Sequence, residues 1–339
     1  MKIGLDIMSG DNGPLSNIKG AINFLNNPKS KDTNIILYGN ENIYKNNKSL
    51  IDKYKERLKF TFTKHIISMN DKPSIAFRKK RDSSLIKIID DINENVIDAC
   101  ISSGNTGALL TSGLLILGKI NGVGRPALAP FIPIGKKGFL LCDAGANSNI
   151  KPSHLVQFGL MCTAYIENLN QISKPRIALL NIGSEENKGN KLTIEAYPLL
   201  KENLNNFIGN IESSELFKNK ADIILCDGFT GNIVLKLIEG LVKNMIETTK
   251  KSVDSHSISK FIKPVLYPVF SDISKSLDHE EHGGTPILGI NGIVMKCHGS
   301  STSKAIENAL YKTQQTYETK LIEKFEKKLQ KINVNTSNE

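Results

Sequence analysis

Residues 221–236 read ADIILCDGFTGNIVLK, an apolar run that passes through a loop of Asp, Gly, Thr and Asn into a helix-like segment. The same succession recurs along the chain. Six such loops follow apolar runs: DIMSGDNGP (6–14), ISSGNTGA (101–108), CDAGANSN (142–149), NIGSEENKGN (181–190), CDGFTGN (226–232) and CHGSSTS (297–303). A repeated order of strand, loop and helix predicts an α/β fold.

The apolar runs predict strands that are buried on both faces. Residues 177–182, 221–226 and 292–297 are rich in Ile, Val and Leu, as in parallel sheets. We therefore expect a doubly wound α/β/α sandwich. Right-handed crossovers would bring all six loops to the carboxyl edge of one sheet, where ligands of such sheets bind. Helix N-termini at that edge favour phosphate or carboxylate, so the pattern indicates phosphate or acyl chemistry.

Composition and charge narrow the choice of partners. The chain has 339 residues, a formal net charge of +10 and a pI of about 9.2. An excess of Lys and Arg attracts nucleic acid, an anionic membrane or an acidic carrier protein, although a Lys-, Asn- and Ile-biased genome explains it equally well. The absence of Trp, of zinc-finger spacing and of aromatic residues among the basic ones argues against nucleic acid.

The sequence carries no signal for a membrane span or for a metal site. No apolar stretch reaches the roughly 18 residues that a spanning helix needs, and residues 1–3 enter a strand rather than a signal peptide. We therefore expect a cytoplasmic protein. The five cysteines lack CxxC or Cys/His spacing, so reduced core thiols are expected and metal ligands are not.

No low-complexity linker interrupts the chain, so a single α/β domain over residues 1–332 is expected. Residues 119–138 are rich in Gly and Pro and predict an irregular excursion. At the C-terminus, Ser300 and Ser301 are candidate caps of one long charged helix, and residues 333–339 predict a frayed tail.

Familiar enzyme motifs are missing from the loops. The chain has no GxxxxGK[ST], GxSxG or HExxH, and no GxGxxG follows the first strand. A reaction in which the substrate supplies the nucleophile needs none of these motifs. Inorganic phosphate that attacks a thioester is such a reaction, because a thiol of pKa roughly 8.5 leaves readily as thiolate. The enzyme then has to position two anionic reactants and stabilise an oxyanion.

Seven segments, in order over residues 1 to about 310, carry a family resemblance. They are MKIGLDIMSGDNGP (1–14), PSIAFRKKRDSS (73–84), ISSGNTGALL with GRPALAP (101–110 and 124–130), GFLLCDAGAN with KPSHLVQF (138–147 and 151–158), LLNIGSEENKGN (179–190), ILCDGFTGNIVLK (224–236) and GGTPILGINGIVMKCHGSS (283–301). Together they resemble the bacterial phosphate acyltransferase family of phospholipid synthesis, which converts acyl-(acyl carrier protein) and inorganic phosphate into acyl phosphate. The chain departs from the family pattern at Ser9, where Gly is usual, at Ser184 and at His282.

This resemblance implies a fold similar to the isocitrate dehydrogenase and phosphotransacetylase group, a homodimer, and no cofactor, nucleotide or metal. It also implies that a downstream membrane glycerol-3-phosphate acyltransferase uses the acyl phosphate. The residues that the resemblance assigns to the pocket come from all six loops: Asp11, Asn12, Ser103, Gly104, Asn105, Thr106, Asn147, Lys188, Asn190, Asp227, Asn232 and His298. Each Asn or Asp among them has an alternative role as an ordinary turn residue.

Roles in phosphate binding can be proposed for two of these loops. Gly104, Asn105 and Thr106 at a helix start would present N–H and side-chain donors to phosphate. Lys188, in the EENKGN loop, would neutralise phosphate or the oxyanion. The alternative for Lys188 is a solvated loop lysine.

Two further residues have roles that the sequence leaves open. His298 would donate to the thioester carbonyl or orient phosphate, unless it only caps a helix. Asp227 would take a proton from monobasic phosphate, unless it too is a cap.

A basic cluster predicts the docking site of the carrier protein. Arg78, Lys79, Lys80 and Arg81 precede an apolar-periodic helix, and acyl carrier protein is strongly acidic. The alternative is an ordinary solvated helix face.

Residues 251–283 predict a proline-containing amphipathic helical hairpin, because Pro264 and Pro268 exclude one continuous helix. Within it, residues 257–277 combine an apolar face with flanking lysines, which suits peripheral contact with an anionic membrane. The residues expected to touch lipid are Phe261, Leu266 and Phe270. The alternative is that this face is buried at the dimer interface.

Three functions remain open at this point. The first is transfer of a fatty acyl group from acyl carrier protein to inorganic phosphate. The second is a phosphotransacetylase that acts on acyl-CoA. The third is a membrane-surface scaffold without catalysis, although no catalytic loop looks degenerate.

Overall fold

The computed structural model describes residues 1–135, 137–169, 172–255 and 283–330. Its strands are β1 (Lys2–Asp6), β2 (Asn34–Gly39), β3 (Leu58–Phe62), β4 (Ala99–Ser102), β5 (Ala127–Leu128), β6 (Phe131–Ile134), β7 (Lys137–Cys142), β8 (Ile177–Asn181), β9 (Phe207–Glu212), β10 (Ile223–Leu225), β11 (Thr285–Leu288) and β12 (Ile293–Lys296). Its helices are α1 (Gly13–Asn26), α2 (Glu41–Asp52), α3 (Pro73–Lys79), α4 (Ser84–Asn93), α5 (Thr106–Ser112), α6 (Pro152–Leu169), α7 (Lys191–Asn203), α8 (Gly228–Ser255), α9 (Ser303–Glu318) and α10 (Leu321–Gln330).

The strands form two mainly parallel sheets. The first has the order β3-β2-β1-β4-β12-β11-β5 and the second has the order β6-β7-β10-β8-β9. β11 is antiparallel to both of its neighbours, and β6 is antiparallel to β7. The central strands are buried on both faces, as their unbroken apolar runs predict. The α/β fold class is confirmed.

All six loops connect a strand to a helix, but the expectation that they share one sheet edge is wrong. The loops after β1, β4 and β12 belong to the first sheet, and those after β7, β8 and β10 belong to the second. The error has a simple physical cause. Apolar runs specify that a strand is buried, whereas strand pairing depends on contacts between residues far apart in the chain.

The Gly- and Pro-rich segment 119–138 is more regular than predicted. It contains β5, at one edge of the first sheet, and β6, at one edge of the second. The Ala144 N–H donates to the Leu128 carbonyl at 2.9 Å, and the Leu141 N–H donates to the Pro130 carbonyl at 3.0 Å. The segment therefore joins the edges of the two sheets. Edge positions tolerate proline because they leave one side of the strand unpaired.

The C-terminal segment forms two helices rather than one. α9 begins after Thr302, whose Oγ1 accepts a hydrogen bond from the Ala305 N–H at 3.2 Å, so neither Ser300 nor Ser301 is the cap. α9 ends at Glu318, and Lys320 takes a left-handed backbone conformation with φ of 51° before α10 begins. A left-handed residue ends a helix because it turns the chain out of the helical path.

The single domain over 1–332 remains a prediction. Residues 251–255 of the predicted hairpin belong to α8. The rest of the hairpin up to residue 282, and the tail 333–339, lie outside the described residues.

Candidate active site

A cavity of 320 Å³ lies where loops of the two sheets meet. Its polar lining comprises Thr106, Asn232, Lys236, Glu239, Thr285, Lys296, His298 and Ser301. Its apolar lining includes Leu128, Pro130, Phe131, Ile132, Ala144 and Leu235. A site with one apolar wall and one cationic, hydrogen-bonding wall suits a substrate that carries both an acyl group and an anion.

The loop after β4 is fixed by the buried carboxylate of Asp6. The hydroxyls of Ser9 and Ser102 each donate to Asp6 Oδ2 at 2.7 Å. The Met8 N–H donates to Oδ1 at 3.1 Å. Ser102 Oγ accepts in turn from the Gly104 N–H at 3.0 Å. The departure at Ser9 is therefore accommodated, because its backbone is not left-handed and its hydroxyl joins this network.

Asn105 has a structural role that connects this loop to its surroundings. Its Oδ1 accepts from the Ala108 N–H at 3.0 Å and caps α5. Its Nδ2 donates to the carbonyls of Ser68, Met69 and Asp71 at 3.0 to 3.2 Å. The Asn105 amide is thus used within the fold, and Thr106 at the start of α5 lines the cavity.

The loop after β7 is organised by Asp143. This fully buried carboxylate accepts hydrogen bonds from the N–H groups of Leu128 and Ala146 at 3.1 and 3.0 Å, and from Asn147 N and Nδ2 at 2.8 Å each. Burial raises the pKa of the Asp143 carboxyl, and these hydrogen bonds oppose that rise. Gly145 follows with φ of 124°, which favours glycine, and turns the chain past Asn232.

The loops after β1 and β12 are bound to each other. The Asp11 N–H donates to the Gly299 carbonyl at 2.6 Å, and Asn12 Nδ2 donates to the Ser300 carbonyl at 2.6 Å. His298 is exposed at the cavity, and its Nδ1 lies 2.7 Å from Ser300 Oγ. Asp11 and Asn12 therefore hold the loop that presents His298.

Sequence reasoning missed the two lysines that face the cavity. Lys236 lies on the third turn of α8, and its Nζ stands 2.7 Å from Glu239 Oε2. Lys296 ends β12 with only 8% of its surface exposed. Burial, with a smaller contribution from the charge of Lys236, lowers the pKa of Lys296 to about 8, while Cys297, Asp11 and Asp6 act in the opposite direction. A single lysine at the end of an apolar run, GIVMK, was the sequence signal available.

A second cavity, of 460 Å³, lies at the carboxyl edge of the second sheet. Asn190 and Asp227 line it. Both are caps, because Asn190 Oδ1 accepts from the Thr193 N–H at 3.0 Å and Asp227 Oδ1 accepts from the Thr230 N–H at 2.9 Å. Lys188 is exposed in the same loop as Asn190, and its carbonyl accepts from Asn181 Nδ2 at 2.9 Å.

The predicted pocket residues therefore divide into groups. Three of them line the first cavity: Thr106, Asn232 and His298. Two line the second cavity: Asn190 and Asp227. Six lie in loops that border the first cavity without lining it: Asp11, Asn12, Ser103, Gly104, Asn105 and Asn147. The twelfth, Lys188, lies in the loop that leads into α7.

Two of the four residues in the predicted docking cluster, Lys80 and Arg81, form ion pairs within the protein. Lys80 Nζ contacts Asp71 Oδ2 at 2.5 Å, and Arg81 contacts Asp90 at 3.3 Å and packs over the Phe77 ring. Arg78 and Lys79 are exposed at the end of α3. α3 packs against α5, the helix that begins at the cavity.

The residues predicted to touch lipid, Phe261, Leu266 and Phe270, lie outside the described residues. In the part of the chain that the structure describes, no helix is long and apolar enough to span a membrane. In that same part, no group of three or more His, Cys, Asp or Glu side chains is arranged to hold a metal ion. All five cysteines lie within the described residues, are buried and form no disulfide there.

Comparison with known proteins settles the family. The family described as "Fatty acid synthesis protein" matches residues 1–324. The phosphate acyltransferase of Clostridium perfringens (strain SM101 / Type A) is 42% identical over 333 residues, which cover 98% of this chain and 97% of that protein. The chain belongs to the phosphate acyltransferase family. The phosphate acyltransferase of Alkaliphilus oremlandii is also 42% identical, over 95% of this chain and 96% of its own. As a member of the phosphate acyltransferase family, the chain is an enzyme that transfers an acyl group to phosphate.

Solved structures confirm the doubly wound α/β/α fold. A branched-chain phosphotransacylase from Enterococcus faecalis superposes with a TM-score of 0.60 and 14% identity, over 93% of this chain and 98% of its own. A phosphotransacetylase from Streptococcus pyogenes gives a TM-score of 0.58 and 14% identity, over 95% of this chain and 94% of its own. At this identity the likeness concerns the fold alone.

Proposed function

We propose that this phosphate acyltransferase takes a fatty acyl group from acyl carrier protein and transfers it to inorganic phosphate by direct attack of phosphate on the thioester. The acyl phosphate would then serve a membrane glycerol-3-phosphate acyltransferase in phospholipid synthesis. The observation that carries the proposal is the cavity in which Lys296, Lys236 and His298 face an apolar wall. Cationic donors favour phosphate and a developing oxyanion, and the apolar wall favours the acyl group.

Direct attack is supported by the burial of the cysteine beside Lys296. Cys297 follows the last residue of β12, and only 2% of its surface is exposed. The Cys297 side chain belongs to the core cluster of Met295, Ile306 and Ala309. The Cys297 thiol therefore packs in the core beneath α9 and is poorly placed to form an acyl-enzyme.

A carrier-protein donor is supported by the position of α3. Arg78 and Lys79 are exposed and lie at the end of this helix. α3 is in close contact with α5, because a Cβ added to Gly107 of α5 would lie only 2.7 Å from Pro73 Cγ. Asn105 also binds the backbone that leads into α3. An acidic carrier bound at Arg78 and Lys79 would therefore stand beside the loop that opens the cavity.

A homodimer is part of the proposal. α8 carries a row of apolar side chains, each more than half exposed, at spacings of four residues: Phe229, Ile233, Leu237, Leu241 and Met245. A contiguous apolar row on one helix is typical of an interaction surface. Cytoplasmic location with peripheral contact to anionic lipid, through residues 257–277, also remains part of the proposal.

The donor can be tested by kinetics. We expect kcat/KM for long-chain acyl-(acyl carrier protein) to exceed that for the matching acyl-CoA, and to fall as ionic strength rises, because charge steers the carrier. Equal or better use of acyl-CoA, with no salt dependence, would favour a phosphotransacetylase that acts on acyl-CoA.

A further inference from the structure

Lys296 combines burial with access to the cavity. The side chain is 8% exposed, yet it lines the cavity beside Lys236 and His298. β12 pairs with β4 so that Lys296 lies opposite Ser102, next to the loop that begins α5. Its Nζ donates to the Cys297 carbonyl. The position of the ammonium is thus fixed by the end of β12 and not by a flexible loop.

Within the part of the chain that the structure describes, Lys296 has no carboxylate counter-ion. Among the described residues, no carboxylate stands within ion-pair distance of Nζ. Asp6 and Asp11 act on it only at longer range, and Asp6 already accepts hydrogen bonds from two serines. Lys236, a cation whose charge acts on Lys296, is paired with Glu239. A buried ammonium without a carboxylate partner is costly, and a second cation nearby increases that cost.

We propose that Lys296 binds the acceptor, inorganic phosphate, in this cavity, with Lys236 and the side chain of Thr106 as further donors. The assignment deepens the proposed acyl transfer and rests on it. A phosphate dianion supplies the counter-ion that the described residues do not provide. Burial makes this interaction stronger than one at an exposed lysine such as Lys188, because water screens it less.

The transfer step balances with Lys296 as a fixed cation. An oxygen of hydrogen phosphate attacks the thioester carbonyl carbon, and a C–O bond forms. The tetrahedral oxyanion then expels the carrier thiolate as the C–S bond breaks. The proton that hydrogen phosphate carried passes to that thiolate. Lys296 keeps its proton throughout and stabilises the charge on the phosphate and the oxyanion.

The test is binding of inorganic phosphate to the whole 339-residue chain without any acyl donor, measured by isothermal titration calorimetry at pH 7. Lys296→Met should raise the phosphate Kd at least about tenfold, as expected for a lost hydrogen bond to a charged group. The matched control is Lys312→Met. Burial likewise lowers the pKa of Lys312 to about 8, but this lysine does not line the cavity. Lys312→Met should bind phosphate as the parent protein does.

A second measurement uses the parent protein and so does not depend on how the variant folds. Trace labelling of lysines with acetic anhydride at pH 8, read by peptide mass spectrometry, should show that phosphate protects Lys296 and leaves Lys312 unchanged. An unchanged Kd in a folded Lys296→Met protein would overturn the assignment, and so would a lack of phosphate protection at Lys296. Either result would leave acyl transfer itself standing if acyl phosphate is still formed, so the two claims fail separately.

Discussion

Replacing Lys296 by Met should stabilise the fold even though it weakens phosphate binding. The pKa of Lys296 falls from an ordinary 10.5 to about 8. At about 1.4 kcal/mol per pKa unit, holding this ammonium in place costs the folded state about 3 kcal/mol at pH 7. Met has a similar length and no charge, and the lost hydrogen bond to the Cys297 carbonyl offsets about 1 kcal/mol. The net expectation is a variant that is about 1 to 3 kcal/mol more stable.

The pH dependence follows from the same lowered pKa. Between pH 8 and 10.5 the unfolded chain holds the Lys296 proton more tightly than the folded protein does. The free energy of unfolding of the parent protein therefore rises with pH across this window. The excess stability of Lys296→Met over the parent protein becomes smaller as a result.

Urea unfolding of both proteins at pH 7 and pH 10, in buffer free of phosphate, measures this difference. Phosphate must be absent because a ligand that binds only the folded state would stabilise the parent protein. A variant that is less stable than the parent by 1 kcal/mol or more, or a difference that does not change with pH, would refute the reasoning.

Four further variants test other parts of the site. Lys188→Ala should lower kcat without lowering the melting temperature, because this lysine is exposed and its side chain contributes little to stability. Arg78→Glu with Lys79→Glu should raise KM for acyl-(acyl carrier protein) about tenfold or more and flatten its salt dependence, while acyl-CoA is less affected. Leu241→Glu should convert a dimer into monomers in sedimentation velocity. Asn147→Ala leaves Asp143 Oδ2 and the Pro126 carbonyl each with one donor fewer, and should lower the free energy of unfolding by about 1 to 3 kcal/mol in urea.

Each of these variants has a matched control at an exposed position. Lys191→Ala is the control for Lys188→Ala, and the pair Lys53→Glu and Lys55→Glu is the control for the Arg78 and Lys79 variant. Lys243→Glu is the control for Leu241→Glu, and Asn149→Ala is the control for Asn147→Ala. All of these control positions are exposed. A control that behaves like its test variant would mean that the effect comes from general charge or stability. Normal kinetics of Lys188→Ala would remove Lys188 from the site, and an unchanged dimer of Leu241→Glu would remove the α8 row from the interface.

Local features were predictable from sequence because their physics is local. Each predicted loop follows a strand and leads to a helix, and Asn105 and Asn190 cap helices, as Asn does wherever a helix begins beside it. The division of the loops between two sheets was not predictable, because strand pairing is decided by distant residues. Nothing in the apolar run that forms β10 shows that this strand belongs to a different sheet from β12.

The lysine wall of the cavity was missed for a related reason. Lys296 reads as the polar end of a strand, and Lys236 reads as one of many lysines on an amphipathic helix. They meet because α8, which follows a strand of the second sheet, and β12 of the first sheet line the same cavity. Lys188 could be predicted as a site residue because the glycine and amide residues around it lie in the same loop and are visible in a short stretch of sequence.

The most direct test of direct acyl transfer to phosphate is incubation of the purified protein with long-chain acyl-(acyl carrier protein) and labelled inorganic phosphate. We predict labelled acyl phosphate and free carrier thiol in equal amounts, with no acyl group on the protein in a rapid quench. Carrier thiol that appears without acyl phosphate, or an acyl group trapped on the protein before acyl phosphate forms, would contradict the account.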